Sequence, residues 1–154
     1  MVTGWRIVKA PYAPAAFDGE GAKRYGGRWN SPGLPVVYTA GSQALAALEM
    51  LVHLGTSTVL PAYVSIACAF NESIVLRLDR QRLPRSWRSY PPPPRLALLG
   101  DGWLKDETSA VLDVPNAIIP TESNYLLNPR HAVFAAIAIR KPQAFDFDVR
   151  LLQR

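Results

Sequence analysis

The chain has 154 residues, 49% of them hydrophobic and 19% charged, which fits one globular domain over residues 1–154 and excludes a disordered chain. Its apolar runs fall far short of the ~18 residues that a membrane span needs; one cysteine excludes an internal disulfide, and the first ten residues lack the pattern of a secretory leader, so a cytoplasmic location is expected. The balance of 17 basic against 12 acidic residues, net +5, admits an anionic small molecule, a nucleic acid or an acidic partner.

Fourteen prolines keep the elements short. Residues 5–9 read as an opening strand. Residues 11–35 carry Gly19, Gly21, Gly26, Gly27 and Gly33 and read as a long structured loop, of the kind that often holds function. A strand is expected over 35–40, through Val36, Val37 and Tyr38. Ser42 can cap a helix over Gln43–Leu54 that stops at Gly55. Strands over 60–70, expected to be central, and 73–78 follow. The four prolines within 90–95 predict a polyproline-like turn. Residues 95–105 predict a short helix, loosened by Gly100 and Gly102. Residues 110–114 and 116–119 read as strands separated by Pro115. A polar segment, 121–131, leads to a helical turn at 132–136 and a last strand over 137–146. Many short strands with few helices predict a single-domain α+β fold rather than alternating βαβ units.

The glycine motifs do not carry nucleotide-loop chemistry. Gly21 and Gly26 have the spacing of a phosphate loop, but Gly27 and Arg28 stand where Lys and Ser/Thr are needed. Gly19 and Gly21 begin a dinucleotide fingerprint, but Arg24 occupies its third glycine position. Glu49 is more informative. On a helical wheel it falls ~40° from Leu45 and ~60° from Val52, on the apolar side that Leu48 also joins. A carboxylate there needs a cation, a set of donors or an open cleft. It is a structural ion pair, a partly exposed position, or an acid in a pocket.

Arg28 follows two glycines and precedes Trp29 and Asn30. A guanidinium on such a loop suits bidentate binding of a phosphate or carboxylate; pairing with Glu49 is the other reading. Ser123 and Asn124 can donate to a ligand or cap local backbone. His53 lies four residues after Glu49, but with only His131 besides, no metal site is expected. Cys68 sits in an apolar strand and reads as a buried small hydrophobe. Arg77, Arg80, Arg82, Arg85 and Arg88 form the one basic cluster, either a solvated surface or a face for a partner.

Taken together, these segments resemble the RES domain, named for Arg, Glu and Ser positions. The likeness runs from Trp5-Arg6-Ile7-Val8 through Gly26-Gly27-Arg28-Trp29-Asn30 and Val37-Tyr38-Thr39-Ala40 to Ala46-Ala47-Leu48-Glu49. It continues at Val114-Pro115-Asn116-Ala117-Ile118-Ile119-Pro120 and Asn124-Tyr125-Leu126-Leu127-Asn128-Pro129, and closes at Phe147-Asp148-Val149-Arg150. The resemblance implies the toxin of a bacterial toxin–antitoxin pair, which depletes NAD⁺. It also implies a fold like that of ADP-ribosyltransferases, with short strands around a nucleotide cleft. The implied partner is an antitoxin with an Xre-like helix-turn-helix domain that blocks the pocket and carries any DNA contact, in a hetero-oligomer. NAD⁺ is then a substrate, and neither cofactor nor metal is needed.

By the same resemblance Arg28, Glu49 and Ser123 are the name-giving catalytic positions. Arg6, Tyr38 and Asn124 join them in substrate binding. In that reading Glu49 stabilises the oxocarbenium-like ribose, Arg28 and Arg6 hold the pyrophosphate, Tyr38 shapes the nicotinamide pocket, and Ser123 bonds the ribose or carboxamide. Two alternatives use the same residues differently. One is transfer of ADP-ribose to a protein; the other is a non-catalytic basic domain that binds nucleic acid or a partner through the arginine cluster.

Overall fold

A computed structural model describes residues 1–55 and 60–153; residues 56–59 and 154 of the expected domain lie outside the described residues. Among the described residues, eight strands form one mixed sheet with three α-helices, the expected α+β architecture. The strands are β1 (Val2–Lys9), β2 (Val37–Ala40), β3 (Tyr63–Phe70), β4 (Val75–Arg77), β5 (Val111–Pro115), β6 (Ser123–Leu127), β7 (Ala138–Ile139) and β8 (Gln143–Phe145). They run in the order β4-β5-β6-β2-β1-β3-β7, and β8 also pairs β3, which therefore has neighbours on both sides. Only β4 and β5 are parallel. No described helix is long and apolar enough to cross a membrane.

Register sets the two faces of the sheet. Trp5 pairs Ala40, Ala40 pairs Asn124, and Asn124 pairs Val114, so these four residues form one row across β1, β2, β6 and β5. Cross-strand partners share a face, and neighbours along a strand point oppositely. α2 (Gln43–Leu54) covers this face at β1 and β2, where Leu45 and Ala46 pack with Ile7 and Ala40. α3 (Pro94–Asp106) covers it at β5 and β6, where Leu96 and Trp103 pack with Leu112, Val114 and Leu126. The opposite face buries Val37, Cys68, Phe70, Val111 and Leu127. Cys68 is completely buried there, and burial pushes its thiol up to about 11.

α2 is built as its sequence predicts. The Ser42 hydroxyl accepts from the Leu45 amide at 3.0 Å, and Gly55 ends the helix at φ 63°. Elsewhere the chain departs from expectation. The glycine-rich loop contains a six-residue helix, α1 (Glu20–Tyr25), with an acid in its first turn and bases in its last, as the helix dipole favours. Residues 116–119 are not a strand: β5 runs through Pro115, and the Asn116 side chain then accepts from the Ile118 and Ile119 amides, both at 2.8 Å, closing a turn. The polar segment contains β6. The expected last strand is two short pieces, β7 and β8, both along β3. Gly100 does not loosen α3. A Cβ there would overlap the Trp29 carbonyl, so the glycine lets α3 meet the Arg28 turn backbone to backbone.

Candidate active site

Glu49 lies on the part of α2 that overhangs the end of β6. One carboxylate oxygen, Oε1, accepts from the side-chain amides of both Asn124, at 2.7 Å, and Asn116. The two asparagines are themselves joined, Asn116 Nδ2 to Asn124 Oδ1 at 3.0 Å. Asn116 and Asn124 are both buried. Oε2 takes no hydrogen bond among the described residues. Burial pushes the Glu49 pKa above the ordinary carboxylate range, against the pull of the Asn124 and Asn116 amides and the positive influence of His53 and Arg28. The acid on an apolar helix face is therefore held by neutral donors, and no direct ion pair with Arg28 forms among the described residues.

Arg28 stands at the tip of a tight turn. The Gly27 amide donates to the Asn30 carbonyl at 2.9 Å, and the fully buried Trp29 anchors the turn beneath α3. Asn30 Nδ2 donates to the Ala22 carbonyl, and the Ser31 amide donates to the buried Asp101 of α3 at 2.8 Å. Close packing extends to Tyr38, whose hydroxyl donates to Asn30 Oδ1 at 2.6 Å and accepts from the Trp29 amide at 3.0 Å. A Cβ on Gly27 would come within 2.7 Å of that hydroxyl oxygen. Burial holds the Tyr38 phenol well above its ordinary value, so the ring is neutral.

The half-buried Arg28 guanidinium donates through Nη1 to the Trp87 carbonyl at 2.9 Å and the Ser89 carbonyl at 3.0 Å. Its Nε and Nη2, the side-on fork that suits an oxyanion, have no partner among the described residues. Burial lowers the Arg28 pKa, while Tyr38, Glu49 and Tyr90 raise it, so Arg28 and Glu49 feel each other across the site. The arrangement is a carboxylate with one oxygen available, a guanidinium with a fork available, and a neutral aromatic ring beside the guanidinium.

Arg6 and Ser123 stand differently. β1 and β2 share the single registered pair Trp5 with Ala40, and Arg6 Nη1 donates to the Tyr38 carbonyl at 3.1 Å. Its Nε is buried without a partner, and the charge that acts on it is Asp18, not Glu49. Ser123 precedes Asn124 in β6 and so points to the opposite face of the sheet, away from Glu49. There it lines a polar cavity of about 210 Å³ with Arg77, Leu78, Arg80, Asp113 and Pro115. Its carbonyl accepts from the Gly41 amide at 2.9 Å, fixing the entry to α2. Sequence reasoning gave no role to Asn116, the second amide on Glu49. Its signal was the turn-forming asparagine directly after Pro115.

The arginine cluster is largely tied to the protein itself. Arg77 pairs with Asp113 at 3.2 Å, Arg80 donates to the Pro120 carbonyl, and Arg88 donates to the Ala117 and Ile118 carbonyls. Only Arg82 and Arg85 of the five have no side-chain partner among the described residues. No metal-binding group of His, Cys, Asp and Glu occurs among the described residues.

Comparisons with known proteins match nearly the whole chain. A family model described as the RES domain covers residues 3–149. A protein named Toxin Res from Yersinia enterocolitica is 40% identical over 148 residues, covering 96% of this chain and 97% of that protein. A protein from a Sphingobium species named Prs ADP-ribosylating toxin is 32% identical over 155 residues, covering 97% and 96%. Among solved structures, the crystal structure of the M. tuberculosis MbcT–MbcA toxin–antitoxin complex contains a chain that superposes with TM-score 0.77 at 20% identity. The match covers 99% of this chain and 87% of that one. That likeness is one of fold.

Proposed function

The chain belongs to the RES domain family and is of the toxin type for which its full-length relatives are named; on that premise we propose that it cleaves the nicotinamide–ribose bond of NAD⁺. The observation that carries this reading is Glu49, a half-buried acid held through one oxygen by Asn116 and Asn124, with the other oxygen available.

The chemistry asks for little more. When the bond from C1′ to the pyridinium nitrogen breaks, its electron pair goes to the nitrogen and nicotinamide leaves as a neutral molecule. Positive charge develops on the ribose. A fixed carboxylate beside that ring stabilises the charge as it forms. The leaving group needs no proton, so one acid is enough. The Nε/Nη2 fork of Arg28 suits the pyrophosphate, and Tyr38 offers a neutral ring to a flat heterocycle. Asn124, which bonds Glu49 directly, takes the orienting role on this strand. Ser123 acts behind it, through the Gly41 contact that places α2. Arg6 serves the substrate indirectly, by holding the Tyr38 main chain.

The test is nicotinamide release from NAD⁺ by the purified chain. Arg28→Ala is expected to lower kcat/KM by about tenfold to a hundredfold, the usual cost of losing a charge-assisted hydrogen bond. Asn124→Ala is expected to lower kcat more than Ser123→Ala does. An inactive wild-type chain at micromolar enzyme sinks the proposal. The acceptor of the ADP-ribosyl cation is water, phosphate or a protein side chain. The ADP-ribosylating name of the Sphingobium relative supports the last of these as a second reading. Product masses with and without phosphate, and with a lysate as acceptor, separate the three. The reading includes an Xre-type antitoxin that covers the site in the cytoplasm and makes any DNA contact.

A further inference from the structure

We propose that Arg88 is a positioning residue that fixes the Asn116 turn and thereby the Glu49 carboxylate relative to Arg28. Its catalytic meaning rests on the NAD⁺ reading; its structural meaning does not.

The geometry is a continuous chain of contacts between two groups that never touch. Arg28 Nη1 donates to the carbonyls of Trp87 and Ser89, the residues on either side of Arg88. The Arg88 side chain turns the other way. Its Nε donates to the Ala117 carbonyl at 2.8 Å and its Nη2 to the Ile118 carbonyl at 3.2 Å. The amides of Ile118 and Ile119 donate to Asn116 Oδ1, which leaves the Asn116 amide aimed at Glu49 Oε1. Without Arg88, the hydrogen bonds left to residues 117–119 among the described residues are the turn's internal ones and the Glu122 amide bond to Ile119, beside the packing of Ile119 and the Arg80 bond to the Pro120 carbonyl. A planar fork donating to two successive carbonyls restrains both the position and the tilt of the turn. A cation spanning the gap thus sets the spacing between the oxyanion fork and the acid. Displacements of about 1 Å in such a spacing cost up to about a hundredfold in rate.

The carboxyl of Glu49 reports this directly. The groups that face it are Asn116 and Asn124 from the ends of β5 and β6, His53 from its own helix, and Arg28 from the turn. Of the two hydrogen bonds that Glu49 accepts, from Asn116 and Asn124, removing Arg88 bears on the one from Asn116.

The experiment is a ¹³C NMR titration of side-chain carboxyls in glutamate-labelled protein, with the Glu49 resonance assigned by its loss in Glu49→Gln. In Arg88→Ala the Glu49 midpoint is expected to move upward, toward that of Asn116→Ala. In the Asn116→Ala background Arg88→Ala is expected to add nothing. Arg88→Lys, which can reach one carbonyl, is expected to fall between, and it carries the test if Arg88→Ala does not fold. Arg85→Ala is the unlinked control. An unmoved Glu49 midpoint in Arg88→Ala, or shifts that add in the double variant, overturns the inference. Nicotinamide release on the same proteins is read separately. There kcat is expected to fall about tenfold or more with KM unchanged. A wild type that titrates as described but releases no nicotinamide defeats the NAD⁺ reading and leaves the positioning role standing.

Discussion

Glu49→Gln is expected to lower nicotinamide release by about a hundredfold to a thousandfold while leaving the protein at least as stable as the wild type. Both effects come from one carboxylate. The amide oxygen of glutamine can still accept from Asn116 and Asn124, so the local bonds survive. The charge that would stabilise a cationic ribose does not. Stability moves the other way because burial raises the Glu49 pKa. At pH below the unfolded value the acid is protonated in both states and the substitution is neutral. As pH rises from there to the folded value, the native state binds more protons than the unfolded one, and wild-type stability falls relative to the variant. The melting-temperature difference, variant minus wild type, should therefore grow from near zero in acid to a positive plateau. Wild-type activity should fall on acidification with a midpoint above the ordinary carboxylate range. A variant that melts lower than wild type at neutral pH would mean that Glu49 stabilises the fold as an anion, contrary to this account.

Gly100→Ala is expected to cost far more stability than the same methyl addition at Gly102. The added carbon would occupy the place of the Trp29 carbonyl, in a region where Trp29 and Leu96 are fully buried. Overpacking of this kind costs about 1–3 kcal/mol, and contact with backbone rather than a flexible side chain puts it at the upper end. Relief requires α3 and the Gly27–Asn30 turn to separate, which moves Arg28 and strains the Ser31 bond to Asp101. Activity should fall with stability. Gly102→Ala, two residues on, meets nothing within 4 Å and is expected to be neutral or to gain up to about 1 kcal/mol from helix propensity. Urea unfolding of the two variants, side by side, reads the contrast. Equal midpoints would show that α3 does not rest on the turn at Gly100.

The parts of the fold that could be read from sequence are those whose signals are local. Ser42, the apolar stripe over Gln43–Leu54 and Gly55 each mark α2 within a few residues of chain, and Glu49 stands out because it interrupts that stripe. The six residues of α1 are too few to show a period. β6 opens with Ser123 and Asn124, so its first half reads as polar loop. The burial of Asn124 makes sense only once Asn116 and Glu49 arrive from elsewhere in the chain. Register was the missing quantity at this strand: a shift of one residue exchanges its faces, and that is the whole difference between Asn124 on the acid and Ser123 behind it. The arginine cluster stayed open between two readings for a similar reason. Five basic residues in a short stretch resemble a docking face, yet three of them are occupied by Asp113 and by carbonyls of the 117–120 segment, contacts between distant parts of the chain.

The solitary thiol of β3 gives the molecule a built-in clock. Cys68 is shut in the interior and largely unionised at neutral pH, so an alkylating reagent must wait for the sheet to come apart around it. Its modification rate, followed by intact mass, counts those openings without a label or an engineered site. Any molecule that clamps the native form, a small-molecule ligand or a protein partner alike, should slow the count in proportion to its occupancy.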